Sequence, residues 1–387
     1  MSVVATALWS GTLAVLLSDI ISTYSLTGTN EGLMSSMISI GALAALIFTI
    51  FFQGKIKKPY IIIACGFLTT AMLLTKGIPM PFIMFLMICF FEGFGHGAVD
   101  STQSAFLADL NHGKTSKHMG ALHGIFGIGG VLTPIILHAL LKSFQWRSIY
   151  VIVGVVCFIL IAQFAVVTRH IRGRVSVANR VEPKLTLAGI KDFFSNRYSV
   201  FLLLCIFFGA AAQSGIIVWT IRYVSVSLNS PEIAAICLSI FWIATTVSRF
   251  GSPLLPVRPS ILLALGAFIS AVTWAVALII NQPLGMCVAT GITGLVSGSC
   301  IPLSLSEGAI MNPEKTGFST NILMTLKTVG QILSPIIVAF VMSLGTMQTG
   351  MFVTSVFFVI NGVFAALMIR KKQASEVVAT LEQASAE

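Results

Sequence analysis

Glu92, His96, Asp100 and Ser104 stand four residues apart in a run that is otherwise apolar and rich in glycine. On a helix this spacing places them in one continuous stripe, with Gln103 at its flank. If the run crosses a membrane, the stripe is costly: a charge at the bilayer centre is unfavourable by about 2.5–3.5 kcal/mol on insertion scales. Such residues therefore face a cavity or a partner. A carboxylate there can take up and release a proton while its neighbours hydrogen-bond to either form. Asp100 and Glu92 are the candidates for that exchange, and His96 and Gln103 are candidates for holding a solute. The competing reading is a satisfied network between helices that fixes packing only.

Other polar residues stand in apolar runs. Lys327 and Gln331 are four apart and share a helix face, where a cation needs a cavity or an anionic partner. That partner is either a protein carboxylate, which makes Lys327 an ion-pair latch, or an acidic group on the solute. Gln213 and Trp219 offer an amide and a stacking ring for a sugar-like solute, although a tryptophan is equally suited to anchoring at the membrane surface. His123 opens a glycine-rich segment and is a binding candidate or a packed hydrogen-bonding residue.

The elements that must position these residues follow from composition. The chain has 387 residues, 56% hydrophobic and 9% charged, with a mean hydropathy of +0.96. Soluble proteins carry about 25% charged residues, so this chain cannot cover a water-facing surface. The class is all-α integral membrane. The seven cysteines include no C-x-x-C pair and fall in apolar stretches, which suits small core residues and neither disulfides nor a metal site. The net charge of +10 reports where Lys and Arg sit in the loops and an attraction to anionic membrane lipid, with no nucleic-acid partner implied.

No Asp, Glu, Lys or Arg occurs between Glu31 and Lys55, Lys117 and Lys142, Arg147 and Arg169, or Arg197 and Arg222. Each gap holds one span at about 20 residues per crossing. Two longer gaps, Arg258 to Glu307 and Lys327 to Arg370, each contain a turn signal and hold two spans. The count predicts twelve transmembrane helices near 3–25, 31–53, 59–76, 81–108, 118–141, 147–168, 198–223, 232–250, 259–280, 284–308, 317–343 and 350–369. Lys55, Lys57, Lys58, Lys114, Lys117, the run 169–197, Arg249, Arg258, Lys315 and Arg370 to Lys372 fall on one side. The other side has little beyond Lys76, Lys142, Arg147 and Arg222. Both termini are then expected in the cytoplasm, in a multi-pass protein of the inner or plasma membrane, with the first helix retained.

The polar stretch 169–197 separates two halves, 1–168 and 198–370, with a tail at 371–387. The halves repeat. Gly130-Val-Leu-Thr-Pro134-Ile-Ile returns as Gln331-Ile-Leu-Ser-Pro335-Ile-Ile, 201 residues later. At the same shift Gly93 falls on Gly294, Gly97 on Gly298, Gly129 on Gly330 and Glu31 on Glu232. Two pseudo-symmetric six-helix bundles joined by a cytoplasmic linker form a transporter architecture, with a solute site expected between the halves. The paired glycines read as helix-packing positions, and a monomer is expected.

Three segments also carry a likeness. Gly93-x-Gly95-x-Gly97-x-x-Asp100 with Ser104, Leu122-His123-x-x-Phe126-Gly127-x-Gly129 with Pro134, and Glu31-Gly32-Leu33 resemble the major facilitator superfamily. Within it they resemble the fucose–galactose–glucose:proton symporters, the fucose-permease-like carriers. The resemblance implies the major facilitator fold, a proton-coupled symporter of a small sugar-like solute, and no cofactor. It also implies that the acid at Asp100 and one in the first span, here Asp19, serve proton coupling or sugar binding. Two features depart from the family. Gly54-Lys-Ile-Lys-Lys-Pro59 lacks the acid usual in the loop between the second and third spans, and Lys327 is unexpected in a neutral-sugar carrier. The runner-up is a proton-coupled exporter of organic anions or amphipathic compounds. An enzyme has little support: the motifs G-x-S-x-G, G-x-x-x-x-G-K-[ST] and H-E-x-x-H are all absent.

Overall fold

Long apolar runs bounded by proline and by loop charges fold as helices throughout. The computed structural model describes the backbone of residues 1–26, 33–52, 55–110, 115–172 and 187–386. Glu31, Gly32, Gly54, Lys114 and residues 173–186 of the linker lie outside the described residues. The helices are α1 (Ser2–Tyr24), α2 (Leu33–Phe52), α3 (Lys58–Lys76), α4 (Phe82–Leu110), α5 (Thr115–Leu141), α6 (Trp146–Arg172), α7 (Leu187–Ser195), α8 (Arg197–Arg222), α9 (Pro231–Gly251), α10 (Pro259–Ile280), α11 (Pro283–Ser297), α12 (Cys300–Met311), α13 (Thr316–Leu344) and α14 (Met347–Ala386). Among the described residues there are no strands. Among the described residues eleven stretches are long and apolar enough to cross a membrane, with α11 and α12 counted as one, and Ser2–Leu17 is a shorter apolar segment in α1. With α1 this is the twelve-span plan.

Local chemistry sets the ends. Pro59, Pro231, Pro259 and Pro283 sit in first turns, where a missing N–H is harmless. The Asn196 side chain accepts from the Tyr198 N–H at 3.0 Å and so caps the start of α8. Asn281 has a positive φ and ends α10, in the left-handed conformation that asparagine tolerates.

The repeat survives as a register of helix starts. Adding 201 to Lys58, Phe82, Thr115 and Trp146 lands on Pro259, Pro283, Thr316 and Met347, the first residues of α10, α11, α13 and α14. Neighbours repeat as well: α2 packs on α4 as α9 packs on α11, and α3 on α6 as α10 on α14. Glycine permits the first of these contacts, as small residues do between membrane helices. A methyl on Gly93 would overlap the Ile38 carbonyl, and one on its counterpart Gly294 would lie 2.6 Å from the Phe241 carbonyl oxygen.

Contacts divide the chain into two compact units: Met1–Leu185 with Ala309–Thr325, and Thr186–Gly308 with Leu326–Glu387. The first unit buries Trp9, Leu16, Met34, Ile62, Phe85 and Tyr150 in its largest apolar cluster. The second buries Ile216, Tyr223, Phe241, Trp274, Met286 and Met351. Outward positions are apolar too. Ile83, Ile135, Ile279 and Leu284 all stand exposed, as hydrocarbon solvent allows and water would not.

Three elements differ from expectation. The span near 284–308 is two helices, broken at Gly298–Ser299, where Gly298 lies tight against Thr245 and Ser248; the chain restarts at Cys300. A nine-residue helix, α7, forms within the linker region. The last span continues without a break to Ala386, through what the sequence marks as a tail.

Candidate functional site

The stripe on α4 forms as its spacing requires, but its members do different things. Glu92 is buried and bound to Lys76, the last residue of α3. Lys76 is therefore no outward-facing loop charge. Its ammonium is fully buried and lies 5.0 Å from the ring centres of both Phe85 and Tyr150, a cation–π cradle around the ion pair. The geometry follows from helix sense. Side chains tilt toward the N-terminus of their own helix, so Lys76 reaches away from the α3–α4 turn while Glu92 reaches back toward it. The acid and the base meet inside the unit, and each satisfies the other's charge.

Further along α4, His96 is half-buried and meets the Trp9 indole edge-on, with ring centres 5.7 Å apart. Asp100 is half-buried, and the Gln103 amide approaches it at 3.5 Å, a long contact. The Ser104 hydroxyl donates to the Asp100 carbonyl at 3.1 Å, so it serves its own helix. The second amide atom of Gln103, Oε1, is buried and lacks a hydrogen-bond partner among the described residues. His123 is buried on α5.

Asp19 stands apart from this group. It is exposed, in an open cleft with Thr23, Gln145, Trp146 and Arg147. Trp9, which touches His96, lies ten residues earlier on α1. That is about 15 Å along the axis, at a helical rise of about 1.5 Å per residue. The structure thus joins His96, Asp100 and Gln103 on one face and leaves Asp19 well away from them.

A second polar cluster in the first unit involves residues that sequence reasoning left in loops. Lys58 Nζ lies 2.6 Å from Asp109 Oδ2 and donates to Thr316 Oγ1 at 2.8 Å, and that hydroxyl donates to Asp109 Oδ1 at 2.5 Å. All three are buried. Further along α13, Asn321 Oδ1 accepts from the Thr49 hydroxyl at 2.9 Å, which fixes the same segment. The available signal was positional: Lys58 opens one helix and Asp109 closes another, and charges at adjacent helix ends can pair inward.

In the second unit the nominated residues are tied to backbone. The Gln213 amide donates to the Ser297 carbonyl at 2.7 Å. That carbonyl is one of the acceptors left free where a helix stops, here α11. Pro335 lacks the N–H that would bond to the carbonyl four residues earlier, that of Gln331. Ser214 Oγ supplies the missing donor at 2.9 Å. Trp219 Nε1 donates to the Pro335 carbonyl at 3.3 Å, and the Arg222 guanidinium stacks 5.9 Å from its ring. Lys327 and Gln331 are half-buried, one turn apart on α13. Among the described residues no group of three or more His, Cys, Asp or Glu is arranged to hold a metal.

The family model of the Major Facilitator Superfamily matches residues 1–307. No curated protein matches the chain in sequence. Among solved structures, the fold is similar to FucP, described as a Major Facilitator Superfamily transporter in the outward conformation, with TM-score 0.73, 16% identity, and 95% of this chain and 96% of that one covered. A variant of the E. coli fucose:proton symporter FucP gives TM-score 0.74 at 16% identity over the same shares of the two chains. The human organic anion transporter MFSD10 (TETRAN) gives 0.72 at 13% identity, covering 94% of this chain and 97% of that one.

Proposed function

The chain belongs to the Major Facilitator Superfamily, and on that premise we propose that this transporter is a proton-coupled symporter of a small, polar, sugar-like solute that works by alternating access. The observation that carries the reading is the division of labour on α4. Glu92 is neutralised by Lys76, whereas Asp100 is half-buried beside Gln103 and one turn from His96. A carboxylate that must exchange a proton needs intermittent access to water, and a buried one such as Glu92 lacks it, whereas the half-buried Asp100 is nearer to it. Asp100 is therefore the coupling residue in this reading and Glu92 a positioning residue. His96, Gln103 and Lys327 are the solute contacts this reading favours. Gln213, Gln331 and Trp219 contribute by holding broken or proline-interrupted helices in shape. The termini face the cytoplasm, and the carrier works as a monomer in the inner or plasma membrane.

A thermal-shift screen of sugars, sugar acids and small organic anions identifies a solute for the tests. Asp100→Asn keeps size and most hydrogen bonds but cannot carry a proton. It is expected to abolish uphill accumulation while leaving counterflow measurable. Proton-driven uptake at the parental level would remove Asp100 from the coupling step.

A second reading, transport of organic anions, rests on Lys327, a cation on α13. Lys327→Gln separates the two. If the solute is anionic, affinity falls by about 1–3 kcal/mol, the scale of a lost charge-assisted hydrogen bond. If the solute is neutral, binding persists and turnover changes.

A further inference from the structure

The second unit has a cleft of about 430 Å³ where α9, α10 and the junction of α11 with α12 meet. Val247, Leu265, Ile269 and Leu295 line it, and all are exposed within the apolar spans that a membrane would cover. What enters is therefore drawn from hydrocarbon. The buried part of the lining includes Cys300 and Asn361.

These two residues belong to a cluster. Asn361 Nδ2 donates to the Cys205 carbonyl at 2.6 Å, and lies 3.2 Å from Cys205 Sγ and 3.9 Å from Cys300 Sγ. The two sulfurs thus flank one and the same amide nitrogen. The Cys300 sulfur nests against Gly209, one turn beyond Cys205 on α8, where any side chain would displace it. Cys300 is also the first residue of α12, directly after the break. The free N–H groups of a helix N-terminus and the Asn361 amide both stabilise negative charge building on sulfur. Cys205 lies in the middle of α8, away from any helix N-terminus.

We propose that Cys300 and Cys205 form an oxidisable dithiol: a lipid hydroperoxide reaching Cys300 through the cleft oxidises it, and Cys205 closes a disulfide that ties α8 to α12. The Cys300 sulfur attacks the distal peroxide oxygen, the O–O bond breaks, and the lipid alcohol leaves with the thiol proton. The Cys205 sulfur then attacks the resulting sulfenic acid. An S–S bond forms, the S–O bond breaks, and water leaves with the second thiol proton. Two sulfurs lose two electrons and one peroxide gains them.

The chain contains its own control. Cys237 on α9 and Cys287 on α11 are buried thiols on two helices that pack together, but neither lines the cleft. The test treats the full chain in phosphatidylcholine nanodiscs with cumene hydroperoxide and maps cysteines by mass spectrometry. The expected product is a peptide pair linked through Cys205 and Cys300 and released by a phosphine, with Cys237 and Cys287 still reduced. Cys205→Ser should stop at a sulfenic acid on Cys300 that dimedone traps, while Cys300→Ser should leave Cys205 unreacted. Leu265→Trp, on the exposed cleft wall, should slow bridging severalfold with an unchanged melting temperature. Bridging of Cys237 to Cys287 at the same rate, parental reactivity of Cys205 in Cys300→Ser, or no Cys205–Cys300 link would each overturn the proposal. Unaltered bridging in Leu265→Trp would overturn the route through the cleft.

Discussion

Lys76, Phe85, Glu92 and Tyr150 form a buried ion pair walled by two aromatic rings in the first unit, and the 201-residue shift carries them to Ala277, Met286, Thr293 and Met351 in the second. All eight residues are buried. One copy of the repeat holds α3, α4 and α6 together with an ion pair inside two aromatic rings. The other holds α10, α11 and α14 together with methionine and alanine packing around one hydroxyl, which lacks a hydrogen-bond partner among the described residues. The same backbone plan thus tolerates either solution, so the ion pair is no requirement of the fold. Breaking a buried pair is nevertheless costly, because removal of one partner strands the other charge. The second unit uses its buried polar groups differently. Gln213, Ser214 and Asn361 each donate to a backbone carbonyl, two of them beside a helix break or a proline.

The sharpest way to break this comparison is Lys76→Met. It leaves Glu92 buried without its cation and is expected to cost about 3–5 kcal/mol, read as a large drop in melting temperature in detergent. Adding Glu92→Leu should recover more than half of the loss, since apolar packing suffices at the corresponding place in the second unit. A double variant as unstable as the single one would mean the two copies are not interchangeable solutions.

A smaller effect is expected in the second unit from Gln213→Leu, which orphans the Ser297 carbonyl at the end of α11. The penalty for a buried unsatisfied acceptor is about 1–3 kcal/mol, measured by the same melt. Equal losses for Gln213→Leu and Lys76→Met would erase the distinction between a stranded charge and a stranded dipole. Ser214→Ala should be the mildest, about 0.6 kcal/mol, the average for hydrogen bonds inside membrane helices. A loss several times larger would show that the carbonyl freed by Pro335 has no alternative donor.

Most of the fold was legible because membrane helices announce themselves by what they lack. Charge-free gaps gave the spans, and one offset, found through Pro134 and Pro335, gave the register that helix starts such as Lys58 and Pro259 keep. The break at Gly298 was not legible. Gly294 and Gly298 read as a close-packing pair, and whether a glycine permits packing or also ends a helix depends on its neighbours across space. The candidate site was half legible. The spacing of Glu92, His96 and Asp100 gave a shared face, but the roles along it depend on which residues pair. Lys76 and Lys58 looked like loop charges because each sits at a helix end, where composition alone cannot say whether the side chain turns inward. Asp19 entered through family likeness alone, and its place in an exposed cleft has no counterpart in local sequence pattern.

The Lys76–Glu92 pair also constrains how the chain enters the membrane during synthesis. As α3 leaves the insertion channel, Lys76 lies at its trailing end and can keep its ammonium among the lipid headgroups. Glu92 has no such refuge within α4, and carries its cost until a cation reaches it. The two helices therefore gain by leaving the channel as a hairpin, with the bond made as the second one arrives. A ribosome stalled after α3 but before Glu92 should leave α3 seated and Lys76 accessible. One stalled beyond α4 should find that lysine already withdrawn from reagents in the water. Order of synthesis is thus written into a contact that, in the finished protein, is merely one solution of two.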